Sequence, residues 1–120
     1  MDFDASLLAS LQEMLPEANF RRLLIDYIDG ARVHLAHVQV LGAAGNLNNL
    51  AFEAHTLVST SGNYGLTRAS VLARSLQHAC KTGDSGEAAA LLPQLIAAVT
   101  AGCAAMQARF LDGHGSAAAA

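Results

Sequence analysis

The chain has no tryptophan, only two prolines and two cysteines in 120 residues, and 5% of its residues are aromatic. So few prolines leave long helices uninterrupted. The scarcity of aromatic and β-branched residues removes the usual material of strands. Cys80 and Cys103 stand far apart, with no C-x-x-C pair and no second cluster. That spacing excludes a zinc module, and both are expected as reduced packing residues. Basic residues are also few: seven Lys and Arg against ten Asp and Glu, a net charge of −3. No patch able to neutralise several phosphates can be assembled, so nucleic acid is not an expected partner. No run approaches the roughly 18 consecutive apolar residues of a membrane span, and no membrane association is expected. The opening segment, Met1 to Leu15, carries acids where a secretory signal carries Lys or Arg, which implies a cytoplasmic location.

What is present is alanine and leucine in helical rhythm, and an all-α fold follows. A short first helix is expected from Ala5 to Leu15, capped by Asp4, with Leu8, Leu11 and Leu15 on one stripe. Pro16 opens a second helix carrying Phe20, Leu24, Tyr27, Ala31, Leu35 and Val38, which ends in the glycines and alanines of 42–45. Asn46 can cap a third helix reaching Gly62. Thr67 can cap a fourth, with Leu66 and Val71 spaced for a hydrophobic staple, and Gly83 closes it. Asp84 and Glu87 fit a capping box for a last helix bearing Leu91, Leu95, Val99, Met106 and Phe110. Pro93 inside it predicts a kink or a fresh start near Leu92. Buried economically, these segments make an antiparallel up-and-down four-helix bundle with a short additional N-terminal helix. It is expected to form one domain over 1–112, followed by a frayed tail at 113–120.

The third helix carries the functional signal. On a wheel of about 100° per residue, Leu47, Leu50, Ala54, Leu57 and Ser61 share one stripe, and His55 points roughly 120° away from it. Around the histidine lie Asn48, Ala51, Phe52, Val58, Ser59 and Gly62, mostly small or apolar where a solvated wall carries charge. Such a surface is suited to being covered by another protein. An exposed imidazole at its centre can present a ring nitrogen to a phosphoryl group. The chain has no Gly-rich phosphate loop and no acidic metal cluster, so it is not expected to bind ATP and Mg²⁺ itself. Other readings compete. Phe52 can pack under the first helix, His55 can be an ordinary surface residue, and His34 and His37, one turn apart, lack a convincing third metal ligand. His78 and His114 read as surface residues.

The run Ala54-His55-Thr56-Leu57-Val58-Ser59-Thr60-Ser61-Gly62-Asn63-Tyr64-Gly65, followed by Leu72, Leu76, Ala79 and Gly83-Asp84, resembles the histidine-containing phosphotransfer (HPt) family of two-component phosphorelays. The similarity is strong over 47–84. The resemblance implies that His55 is the phosphoacceptor, that the fold is a four-helix bundle, and that Gln77 stands beside His55 from the next helix. The implied partners are receiver domains, of a hybrid histidine kinase and of a response regulator, and the chain is expected to be a monomeric carrier rather than an enzyme. No cofactor of its own is expected, Mg²⁺ belonging to the receiver. Two departures matter: the family's lysine three residues after the histidine is Val58, and the following glycine is Ser59. Lys81 first, or Arg74, four residues after and three before Gln77, is expected to replace the missing charge. The rivals are a degenerate docking protein that binds receivers or kinases without transfer, and a helical adaptor in which His55 is incidental.

Overall fold

The computed structural model describes residues 3–112. Within them the chain is helical from end to end: α1 Ser6–Met14, α2 Glu17–Ala43, α3 Leu47–Asn63, α4 Thr67–Lys81 and α5 Ser85–Gln107, closed by a π-helical turn at Ala108–Asp112. No strand occurs among the described residues. The expected tail at 113–120, with His114, lies outside them. Packing follows chain order, α3 against α4 and α4 against α5, while α2 touches both α3 and α5, and α1 rests on α2. The outcome is a helical bundle. One core runs through it, formed by Phe20, Leu24, Ile28 and Val38 of α2, Leu50, Ala54 and Leu57 of α3, Leu72 and Leu76 of α4, and Leu95, Val99 and Met106 of α5.

Helix ends explain why the elements start where they do. Asn46 Oδ1 accepts from the backbone N–H of Asn49 at 3.2 Å, and Asp84 Oδ1 from that of Glu87 at 3.0 Å, satisfying one orphan donor at the start of α3 and of α5. At α1 the capping position falls on Ala5, with no side-chain cap. Asp4, one residue earlier, instead accepts from the N–H and the hydroxyl of Ser6 at 3.0 and 2.7 Å. These bonds hold its carboxyl below the usual range.

Three expectations are corrected. Thr67 is the first helical residue of α4, and Leu66 takes the capping position without a side-chain bond. The Leu66–Val71 staple is not made: Leu66 is buried and Val71 is exposed. The reason is Gly102 of α5, where a Cβ would collide with the Leu66 side chain, so Leu66 fills the place that glycine leaves open. Finally, α5 runs through Pro93 as one helix, with no new start at Leu92. Proline removes the bond to the carbonyl of Ala89, and Ala89 is exposed, so water can replace the lost donor. The segment Ser85–Asp112 is also long and apolar enough, by length and composition, to cross a membrane, with a mean hydropathy of 1.7. Much of that character comes from exposed alanines such as Ala90, Ala97, Ala101 and Ala104, while Leu91, Leu95, Val99 and Met106 face the core.

Two links hold the end of the bundle where α3 turns into α4. The rings of Tyr27 and Tyr64 stack at 3.9 Å between centroids, joining α2 to the turn. Gly65, at φ +83°, accepts a backbone bond from Asp4 at 2.7 Å, and a Cβ there would strike the Asp4 carbonyl. Gly65→Ala is therefore expected to cost more than Gly83→Ala, where φ is +75° but the space is open. The left-handed backbone alone costs about 1–2 kcal/mol at either site, and paired urea unfolding curves measure the excess at Gly65. Burial pushes the Tyr27 phenol well above its ordinary value, and that of Tyr64 upward as well. Above about pH 10 the unfolded chain loses these protons while the folded chain keeps them, so stability must fall as pH rises. Tyr27→Phe is expected to flatten that alkaline decline in urea midpoints.

Candidate functional site

Burial of Leu50, Ala54, Leu57 and Ser61 sets the rotation of α3 and turns His55 outward. Facing it, α4 runs in the opposite direction. Ser70 Oγ donates to the carbonyl of Val58 at 2.8 Å near one end of the pairing, and the Gln77 amide meets His55 Nδ1 at 3.0 Å nearer the other. His55, Gln77, Lys81 and Cys80 line one shallow depression with Asn48, Ala51 and Phe52, about 600 Å³ in volume and open to solvent. Lys81 is the only lysine or arginine in that lining. Phe52 is 74% exposed on its rim, so it does not pack under α1.

The expected site residues do not all converge. Ser59 and Gly62 continue the exposed face of α3 beyond His55, outside the depression. Val58 is half-buried against the core. Arg74 lines a separate hollow with Asp84 and Glu87 and does not reach the lining around His55. Cys80, read from sequence as packing, is buried yet contributes to the lining three residues after Gln77, and burial raises its thiol above the usual range. The other residue missed was Glu53. Its carboxylate is bracketed by two histidines of α2, with His34 Nε2 against Oε2 and His37 Nδ1 at 3.3 Å from Oε1. This bridge ties α2 to α3 on a side turned away from His55. Among the described residues no group of three or more His, Cys, Asp or Glu is arranged to hold a metal ion.

Gln77 bears on which imidazole nitrogen is available. With its amide nitrogen toward Nδ1, it donates to a ring whose proton sits on Nε2. A half-turn of the amide presents Oε1 instead, accepts an Nδ1–H and leaves the lone pair on Nε2. The family model described as Hpt domain matches residues 22–109. The chain belongs to that family. No curated protein and no solved structure matches the chain significantly. Hpt domains are phosphotransfer carriers of two-component systems that interact with receiver domains, and they are not enzymes in the usual sense. In this Hpt chain the match takes in His55 and Gln77 as well as the departure at Val58. Gln77→Ala is expected to shift the ring ¹⁵N resonances of His55 and leave those of His34 and His37 in place, as read by heteronuclear NMR.

Proposed function

We propose that the chain is a cytoplasmic, monomeric phosphorelay carrier. It folds as an antiparallel up-and-down bundle of α2 to α5, with α1 as the additional helix. It accepts a phosphoryl group on His55 from the aspartate of a receiver domain, typically that of a hybrid histidine kinase, and passes the group to a response regulator. The observation that carries this reading is the exposed His55 ring, with Nδ1 engaged by Gln77, in a shallow depression that Phe52 also lines.

The chemistry balances without a group bound to this chain. The Nε2 lone pair attacks the phosphorus of the aspartyl phosphate, an N–P bond forms, the P–O bond breaks, and the receiver's carboxylate leaves with the electron pair. This step needs the amide of Gln77 turned so that its carbonyl accepts the Nδ1 proton; the ring then keeps that proton, and the positive charge gained by the imidazole offsets part of the phosphoryl charge. The return step reverses these bonds. Mg²⁺ and the acidic pocket are supplied by the receiver. Asn48, Ala51 and Phe52 form the near part of the docking face and Ser59 and Gly62 its continuation; Val58 contributes what its half-buried position leaves open.

A second reading, a docking protein that binds receivers without transfer, is favoured by Val58, which puts a neutral side chain where the family carries a lysine. The two separate cleanly in one experiment: incubation of the purified protein with a labelled, phosphorylated receiver, beside His55→Gln. An acid-labile label on the wild-type chain that the variant lacks is the expected result. Binding without any label would establish the docking protein instead.

A further inference from the structure

A hydroxyl on a helix has an easy partner in the carbonyl four residues back. Ser10, Thr56 and Thr60 take it, donating to Ser6, Phe52 and Thr56 at 3.1, 3.3 and 3.1 Å, and Thr82 does the same with His78 at 3.1 Å where α4 ends. Ser70 of α4 does not. Its Oγ leaves its own helix and donates to the carbonyl of Val58 in α3 at 2.8 Å, shorter than any of those four bonds. That carbonyl lies inside α3, whose own ladder uses one lone pair, and the hydroxyl takes the second. Gly62, one turn along α3, keeps the space clear, since a Cβ there would already stand 3.4 Å from Ser70 Oγ.

A second side-chain bond between the same helices joins Gln77 to His55 Nδ1 at 3.0 Å. The turn at 64–66 holds α3 and α4 together at their shared end, and beyond it side chains set their separation. Ser70 stands in the first turn of α4, and Gln77 two turns further, about 10 Å along the axis. Over that length a tilt of a few degrees moves Gln77 by about 1 Å, which is enough to break its bond to the ring. Building on the carrier reading above, we propose that Ser70 is a positioning residue for phosphoryl transfer: it closes α4 onto the turn of α3 that follows His55 and thereby holds the Gln77 amide at Nδ1. Ser70 is outside the lining of the depression, so its effect runs through the Gln77–His55 contact and not through the phosphoryl group or the docking face. The link asks nothing of the Val58 side chain, because the acceptor is backbone.

The test compares the wild-type protein, Ser70→Ala, Gln77→Ala and the double variant, each followed by the ring ¹⁵N resonances of His55, by label uptake from a phosphorylated receiver, by binding to the unphosphorylated receiver and by urea unfolding. Ser70→Ala is expected to move the His55 resonances in the same direction as Gln77→Ala, with those of His34 and His37 in place. Uptake should slow about fivefold, the worth of one hydrogen bond, with receiver affinity unchanged. In the double variant the Ser70 substitution should add nothing to the resonance shift or to the slowing that Gln77→Ala produces, since both act through one contact. Unmoved His55 resonances in Ser70→Ala would overturn the proposal, as would an equal slowing once Gln77 is already removed, which marks a purely structural role and is read beside the urea midpoint. A wild-type chain that binds receiver and takes up no label removes the carrier reading, while the resonance shift still decides whether Ser70 positions the Gln77–His55 pair.

Discussion

Burial of one narrow stripe of α3 against α4 is the constraint on which the site depends. Leu50, Ala54, Leu57 and Ser61 are all sequestered, and a helix with four positions fixed on one side has no freedom left in rotation. His55 therefore faces outward because Ala54 and Leu57 face inward. The same contact brings Gln77 to the imidazole and Lys81 to the neighbouring turn, since both ride on the helix that the stripe packs against. Substituting the stripe would disturb the chemistry without touching a reactive atom.

A second tie acts from the opposite side. Glu53 and its two histidines join α3 to α2, and the groups are only 19% and 26% exposed at His34 and Glu53, so the contact is partly shielded from solvent. Partial burial shields such a contact from screening but also adds a desolvation cost, so its role is to fix α3 against α2 rather than to add stability. It also keeps the carboxylate nearest to His55 in sequence from projecting toward an incoming phosphoryl group. The negative charge of α3 is thereby confined to the α2 side, leaving the face around His55 neutral.

The helices, their order and the outward direction of His55 were legible because they rest on periodicity and local capping, which a single chain carries in full. Asn46 and Asp84 cap as their residue types predict. What escaped depended on residues distant in sequence. Leu66 looked like half of a local staple, but the gap left by Gly102, 36 positions on, drew it into the core. Glu53 gave no sign of its histidine partners because they lie on another helix. Arg74 and Lys81 share one face of α4 around Gln77, with Lys81 the first choice, and it is the direction of α4 relative to α3 that puts only Lys81 in the lining. Wheel geometry gives the azimuth of a side chain but not its level along a neighbouring helix.

The division of labour follows from what a carrier has to do. On the proposed reading a phosphoryl group arrives from one aspartate and leaves for another, so a site that held phosphohistidine tightly would speed the first step only by slowing the second. Strong cation clusters and bound metal are therefore misplaced on the carrier and belong on the receivers, where they act on both sides of the transfer. The depression around His55 accordingly holds one lysine and one amide, and no cluster of cations. The low charge of the α3 face serves the same end. On the proposed reading, a shallow α3 surface around Phe52 with few charges suits more than one receiver, because it presents little that a partner would have to match.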